Sequence, residues 1–366
     1  MTGAQVIVLA TPVFLLLIAA EYAVGLARGR NTYRLNDALS SIGLGVMSQV
    51  TGVFGKVLRV GMYTLVFEHV ALMRLPADAP WVWVFSLLAY DLCYYWLHRA
   101  GHRVAVLWAA HVVHHQSEDY NLSTALRQTS SGFVLGWLFY LPMAVIGVPP
   151  LVFGTVALVD LLYQYWVHTQ QVGKLGWFDR WFCSPSNHRV HHAVNDRYLD
   201  RNYGGILIVW DRLFGTFVEE DDAETCVYGT RSPLRSWNPL FANLQVYRDL
   251  WLDSWRARSW VDKLRVWLMP PGWRPHDVAA RWPKPAFDIA AVQRYDPSCG
   301  IGSAVAATLL FLAVLGATSV FLWYAHLLAP MQQAAAVAVL VIALWLIGVI
   351  TQPRSARTDN ARLAAL

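Results

Sequence analysis

Long apolar runs constrain this chain more than anything else in it. A helix needs about 20 mainly apolar residues to cross the hydrocarbon of a bilayer, and such runs recur at residues 6–26, 81–97, 133–148, 151–167, 301–328 and 331–350. At 366 residues, 56% hydrophobic and 14% charged, with a mean hydropathy of +0.36, the chain has too much apolar surface for an ordinary soluble domain. The expected fold class is all-α: a polytopic integral membrane helical bundle. Residues 133–148 and 151–167 flank Pro149-Pro150 and predict a helical hairpin; residues 301–328 and 331–350 predict another. Residues 41–67 are ambiguous. Lys56 and Arg59 fall inside them, and a charge at the bilayer centre costs at least about 2.5 kcal/mol, so a tilted or interfacial helix fits as well as a crossing. The eighteen tryptophans and sixteen tyrosines suit a bilayer interface and, equally, an aromatic core.

Basic residues orient the set. None precedes residue 6, whereas Arg28, Arg30 and Arg34 follow the first run and Arg354, Arg357 and Arg362 follow the last. Positive-inside bias puts the N-terminus outside and the C-terminus in the cytoplasm. A crossing at 41–67 brings the histidine-rich segments to the cytoplasmic side as well. The first run lacks the basic n-region and small-residue cleavage site of a signal peptide. Residues 1–97 are expected as N-terminal membrane helices, 98–300 as a core with the hairpin 133–167 and a cytoplasmic cap, and 301–366 as a C-terminal hairpin and tail. The cap is basic, which fits contact with anionic headgroups and fits topology bias equally. No nucleic-acid motif occurs. Cys93, Cys183, Cys226 and Cys299 are dispersed, without disulfide or thiolate-metal spacing.

The chemistry lies in the histidines. Nine of twelve fall between His98 and His192. His98 and His102 are four apart; His111 precedes His114 and His115 by three and four, and His188 precedes His191 and His192 likewise. On a helix these separations share one face. One histidine on an apolar helix is ordinarily a hydrogen-bonded core residue, but packed imidazoles without a cation waste buried polar atoms. His98 and His168 also end apolar runs, which puts the group at one depth below the cap. Nine imidazoles exceed the four to six ligands of one ion, so two ions are implied. Imidazole alone does not choose among zinc, copper, iron and nickel.

The order HxxxH, HxxHH, a lone His at a helix end, then HxxHH resembles the fatty acid hydroxylase and sterol desaturase superfamily. Within it, "SEDYNLSTALRQ", "YQYWVHT", "SPSNHRVHH" and "NYGGILIVWDRLFGTF" are most similar to the alkylglycerol monooxygenase family. The resemblance implies two irons held by His98, His102, His111, His114, His115, His168, His188, His191 and His192. It also implies O2 as co-substrate and hydroxylation of a lipid C–H at the carbon bonded to an ether oxygen, releasing fatty aldehyde. Zinc, above iron in the Irving–Williams order, competes for such a site. Each histidine is expected neutral, with its second nitrogen fixed by an acceptor; Asp91, Glu118, Asp119 and Asn121 are the nearest candidates. Tetrahydrobiopterin is the reductant that the resemblance implies. Two departures bear on the finer assignment: Arg103 follows His102 where that family carries an acidic residue, and Asn187 replaces a histidine of some relatives. A cation at 103 weighs against the pterin.

The chain carries no recognisable reductase. "GIGSAVAA" at 300–307 lacks the third glycine of a dinucleotide loop and opens an apolar run. Electrons are therefore expected from outside, from a reduced pterin or a separate redox protein. Adjacent His doublets do not serve a haem, and ligands at one depth trace no transport path. Hydroxylation or desaturation of a fatty acid, sterol or carotenoid is the alternative chemistry.

Overall fold

The structure, a computed structural model, describes residues 2–352 apart from the side chains of Lys56 and Val57. The Lys56 charge and the tail residues Arg354, Arg357 and Arg362 thus lie outside the described residues. Within them the chain is helical, and its β pairing is confined to two isolated bridges, Phe182 to Leu207 and Ala193 to Tyr228.

Helix α1 (Gly3–Ala27) opens on a capping box: Gln5 N donates to Thr2 Oγ1 at 3.3 Å and Thr2 N donates to Gln5 Oε1 at 2.9 Å. Next come α2 (Leu35–Val70), α3 (Pro80–Arg103), α4 (Ala105–His115) and the turn α5 (Leu122–Ala125). The middle of the chain holds α6 (Leu141–Ile146), α7 (Pro150–Trp166), α8 (Phe178–Trp181), α9 (Pro185–His192) and α10 (Val209–Leu213). Then follow α11 (Pro239–Arg256), α12 (Trp260–Leu268), α13 (His276–Arg281), α14 (Ile301–Tyr324) and α15 (Pro330–Thr351). Proline opens α3, α7, α9, α11 and α15, where its missing N–H removes no helical bond.

Among the described residues, four segments are long and apolar enough to cross a membrane: Gly3–Ala27, Leu35–Gly55, Ile301–Leu327 and Pro330–Thr351. The C-terminal hairpin is as expected. Its turn is stapled by Gln333 Nε2, which donates to the carbonyls of Ala325 at 2.8 Å and Leu328 at 3.1 Å. The ambiguous stretch 41–67 belongs to a single helix of 36 residues. At about 1.5 Å per residue that helix far exceeds a bilayer core, so its apolar first part can cross while Arg59 lies beyond, on the exposed part.

The hairpin expected at 133–167 differs. Residues 133–148 form a 3-10 turn (Gly136–Tyr140) and the short α6, not a spanning arm. Gly132, Gly136 and Pro142 interrupt helical propagation, and Gly147 ends α6 at φ +105°. A Cβ on Gly147 would stand 1.9 Å from the Met73 carbonyl oxygen, and Leu75 N donates to the Gly147 carbonyl at 3.0 Å. The chain is thus clamped there against the α2–α3 loop. Neither α7, with 17 residues, nor α3 is among the four crossing candidates. Helix α3 carries a polar face of Ser86, Asp91, His98 and His102, all buried, which serves the protein interior rather than lipid.

Two apolar clusters hold the bundle. One joins α1, α2, α14 and α15 through Val46, Val50, Phe311, Val314 and Leu340; the other joins α2, α3, α6 and α7 through Tyr63, Val82, Met143 and Val152. Helices α11 and α12 form a hairpin against α4. It exposes Trp251, Trp255 and Trp260 to the exterior, whereas Trp237 is buried, so the tryptophans serve as both surface and core.

Candidate metal centre

Four chain segments deliver the nine histidines to one place. Helix α3 presents His98 and His102 one turn apart near its C-terminal end; α4 packs against it and presents His111, His114 and His115. His168 follows the last turn of α7. Helix α9 starts at Ser184, whose side chain accepts from Asn187 N at 3.3 Å, and carries His188, His191 and His192 within its eight residues.

Their ligand atoms form two clusters, each with all atoms within 4.8 Å of one another: His98, His102, His111, His115 and His191 in one, His114, His168, His188 and His192 in the other. Every histidine proposed from the sequence lies in one or the other. Within the first, Nε2 atoms approach at 3.1 Å (His98 to His111), 3.1 Å (His111 to His115) and 3.2 Å (His115 to His191). Within the second they approach at 3.1 Å (His114 to His168), 3.0 Å (His168 to His188) and 3.2 Å (His188 to His192).

The outward nitrogens fix the tautomer of four of these histidines. Nδ1 of His98, His114, His168 and His191 donates to the carbonyls of Tyr203 (2.8 Å), Arg127 (2.8 Å), Gln164 (2.8 Å) and Arg201 (2.9 Å). A neutral imidazole with its proton on Nδ1 has only a lone pair on Nε2, so Nε2 of His114 and of His168, 3.1 Å apart, confront each other with lone pairs and make no hydrogen bond. His102 Nε2 is buried with no partner at all. Protonation is no remedy: burial first, and neighbouring imidazoles second, push His98, His111, His115, His188 and His191 far below the usual histidine range; His114 is lowered to about 4. A cation satisfies such a donor set. Metal–imidazole bonds of about 2.1 Å meeting near 90° separate nitrogens by about 3.0 Å, and at the tetrahedral angle by about 3.4 Å; the observed edges fit the former. The donor chemistry therefore fits transition-metal ions bound by imidazole.

The expected carboxylate acceptors are elsewhere. Asp91 accepts from Ile206 N (2.7 Å), Leu207 N (3.0 Å) and Trp210 Nε1 (2.8 Å). Glu118 accepts from Tyr295 N, Asp119 pairs with Arg34 at 2.9 Å, and Asn121 caps α5. None of the four touches a histidine; main-chain carbonyls take their place, which residue type does not reveal. Asp200 lies 3.4 Å from His102 Nδ1, and the exposed Arg103 pairs with it at 3.1 Å. Asn187 is occupied in donating to the carbonyls of Asp179 and Phe182. Sequence reasoning also missed Arg127: wholly buried, it donates Nε to the Val113 carbonyl at 2.8 Å while its own carbonyl holds His114. The motif "NYGG" acquires a physical reason. A Cβ on Gly205 would stand 2.8 Å from Asp160 Oδ1 and 2.9 Å from Asp91 Oδ1, so only glycine lets the backbone pass between these carboxyl groups.

Beside the centre lies a chamber of about 550 Å³. Its walls are apolar, with Phe14 and Leu15 from α1, Ile42 and Val46 from α2, and Leu315 and Leu322 from α14. His98 and His111 of the first cluster and His114 and His168 of the second line its inner end. Both clusters thus face one apolar space sized for a lipid chain.

A fatty acid hydroxylase family model matches residues 83–216, the segment that contains all nine histidines. The chain is 40% identical to human alkylglycerol monooxygenase over 267 residues, covering 73% of this chain and 59% of that protein. It is 38% identical to the Xenopus tropicalis enzyme of that name over 289 residues (79% and 64%) and 39% identical to the Danio rerio one over 267 residues (73% and 59%). It therefore spans about three fifths of the length of these relatives. No solved structure matches it. Residues 83–216, which carry both histidine clusters, thus form a domain of the fatty acid hydroxylase family, in a chain whose relatives include alkylglycerol monooxygenases.

Proposed function

We propose that the chain is a membrane-bound lipid monooxygenase whose nine histidines hold two iron ions and whose chamber holds the alkyl chain of an alkylglycerol. The observation that carries this reading is the pairing of two imidazole clusters with a single apolar chamber that both of them face. Similarity to alkylglycerol monooxygenases supports the substrate class. Five histidines would hold one ion (His98, His102, His111, His115, His191) and four the other (His114, His168, His188, His192). Bound there, iron supplies the redox chemistry that splits O2 and inserts one oxygen atom into a C–H bond.

The chain's own residues do the rest. The walls from α1, α2 and α14 exclude water and leave an alkyl chain little to bind except apolar surface. Carbonyls of Tyr203, Arg127, Gln164 and Arg201 fix the imidazole tautomers, so each Nε2 is aimed before an ion arrives. The balanced reaction takes an alkyl ether, O2, two electrons and two protons to a hemiacetal and water; the hemiacetal then collapses to fatty aldehyde and glycerol. The electrons come from an external donor, a reduced pterin or a redox protein. Arg103, which pairs with Asp200 at 3.1 Å, stands where the resemblance implies an acidic residue, and a panel containing both classes of donor distinguishes them. The inferred arrangement has the N-terminus outside and the metal centre on the cytoplasmic side with the loop between α1 and α2, whose Arg34 pairs with Asp119; a reporter placed in that loop would check it.

The test is incubation of the iron-loaded protein in lipid nanodiscs with an alkylglycerol, labelled O2 and a panel of reductants. Fatty aldehyde carrying label is the expected product. If alkylglycerols stay intact while a fatty acyl lipid or sterol gains oxygen, the ether-lipid assignment fails and the monooxygenase assignment stands.

A further inference from the structure

Aromatic rings near the histidine clusters are unevenly connected. Tyr203 lies against three histidines of the first cluster, with ring centroids 5.8 Å from His98, 5.4 Å from His102 and 5.9 Å from His191. Its ring is 6.1 Å from Tyr95, and Tyr95 is 5.4 Å from Trp96. Tyr203 and Tyr95 are buried while Trp96 is 42% exposed, so the three rings lead from the centre to the exterior. The middle ring also has a proton outlet. Its hydroxyl is 2.9 Å from Thr216 Oγ1, which donates at 2.6 Å to Asp211 Oδ1, on a carboxyl group with no exposure. Arg99 donates to the same phenol oxygen at 3.1 Å and stands 5.4 Å above the Trp96 ring.

These parts match what one-electron oxidation of a buried tyrosine demands. A phenol that gives up an electron also loses its proton, and passes the electron on reversibly only if a base within hydrogen-bond reach holds that proton and returns it. Burial pushes Asp211 up to about 6, against donors from Thr216, Tyr203 N and Gly204 N, which leaves it able both to take and to return a proton near neutrality. The other rings at the centre lack this: Tyr94, 5.2 Å from His98, donates its hydroxyl at 2.6 Å to Gln164 Oε1, an amide oxygen that takes up no proton. Trp108 is 5.0 Å from His102, but its ring partners among the described residues are histidines alone. Tyr120 donates its hydroxyl to the Val167 carbonyl at 2.9 Å, a group that takes up no proton.

We propose that Tyr95 and Trp96, bridged to the first histidine cluster by the Tyr203 ring, form a one-electron path that drains an oxidising equivalent from the metal pair when O2 is reduced with no lipid in the chamber. The proposal rests on the monooxygenase reading above. In one passage Tyr95 gives an electron across Tyr203 to the metal pair, and its phenolic proton shifts through Thr216 to Asp211. Trp96 then refills Tyr95, and the proton returns. The oxidised indole takes one electron from a thiol or ascorbate in solution. Net, one electron moves from that reductant to the metals, and the rings and carboxyl group end as they began.

The test uses the full chain in nanodiscs, iron-loaded as verified by metal analysis, and cycled with reductant and O2 without lipid or thiol. Freeze-quench EPR should show a protein radical, and peptide mapping should find Trp96 oxygenated severalfold more than Trp260, although Trp260 is 81% exposed. Tyr95→Phe, which keeps the ring, and Thr216→Val, which cuts the proton relay, should each lower Trp96 oxidation severalfold and move damage to the histidine peptides. Glutathione should suppress Trp96 oxidation in the wild type. Oxidation that is no greater at Trp96 than at Trp260, that concentrates at Trp108, or that is unchanged in both variants overturns the path. If the protein binds no redox metal or consumes no O2, the monooxygenase reading fails, and the path is judged by flash oxidation with a surface photo-oxidant. A Trp96 radical then relaxes to a Tyr95 phenoxyl in the wild type and not in Tyr95→Phe; absence of that relaxation overturns the path by itself.

Discussion

Replacing Asp91 should strip metal from a centre that Asp91 never touches. Its carboxylate, 1% exposed, receives three buried donors: Ile206 N, Leu207 N and Trp210 Nε1, at 2.7, 3.0 and 2.8 Å. Those donors fix the segment whose Tyr203 carbonyl holds His98 Nδ1. In Asp91→Asn the amide oxygen can still serve Leu207 and Trp210, but the amide nitrogen then faces the Ile206 N–H. One orphaned buried donor costs about 1–3 kcal/mol. The lower end applies here, because losing the charge also relieves repulsion from Asp160, which flanks the same Gly205. Asp91→Ala orphans all three donors and should cost about 3–5 kcal/mol, the range for removing one side of a buried charged network. At about 2 °C per kcal/mol for a chain of this size, the thermal midpoint in detergent should fall by about 2 °C and about 6–10 °C respectively. Under a chelator challenge the histidine cluster containing His98 should empty first, taking metal content from the proposed two ions per chain to about one. An Asp91→Ala protein with the wild-type midpoint and wild-type metal retention would refute the coupling between this carboxylate and His98.

Three further outcomes follow from the same geometry. His191→Ala leaves four imidazoles in the first cluster, as many as in the second, so under a chelator challenge that cluster should release its ion sooner than in the wild type, with helicity by circular dichroism unchanged; unaltered release would count against His191 as a ligand. Ala110→Phe places a ring in the chamber lining and should weaken lipid binding about tenfold through overpacking of ~1–3 kcal/mol, while metal content stays the same; unaltered binding would put the lipid elsewhere. Arg274→Met leaves Asp253, bound at 2.7 and 2.8 Å, as a buried unpaired charge, at a cost of about 3–5 kcal/mol. Adding Asp253→Leu should restore most of the lost thermal midpoint, and a double variant no better than the single one would count against that ion pair.

Histidine spacing and apolar run length depend on local periodicity, and both were legible in the sequence. The 3.6-residue repeat alone brings His98 to His102 and His188 to His191 and His192 on one face, and the run lengths at 6–26 and 301–350 alone mark helices able to cross a bilayer. Periodicity cannot say which imidazoles share an ion. His111 and His115 join His191, and His114 joins His168, only because α4, α7 and α9 pack around α3, pairing residues as far as 80 positions apart in the chain. Nor does residue type reveal the outer partners of the histidines, since main-chain carbonyls are present at every position and their aim is set by tertiary folding. The arm at 133–148 was misjudged for a related reason. Its composition is apolar enough for a spanning helix, but Gly132, Gly136, Pro142 and Gly147 break it, and the contact of Gly147 with Met73 holds it against the α2–α3 loop. Hydropathy records how apolar a residue is; whether that surface meets lipid, a neighbouring helix or a chamber is decided by packing.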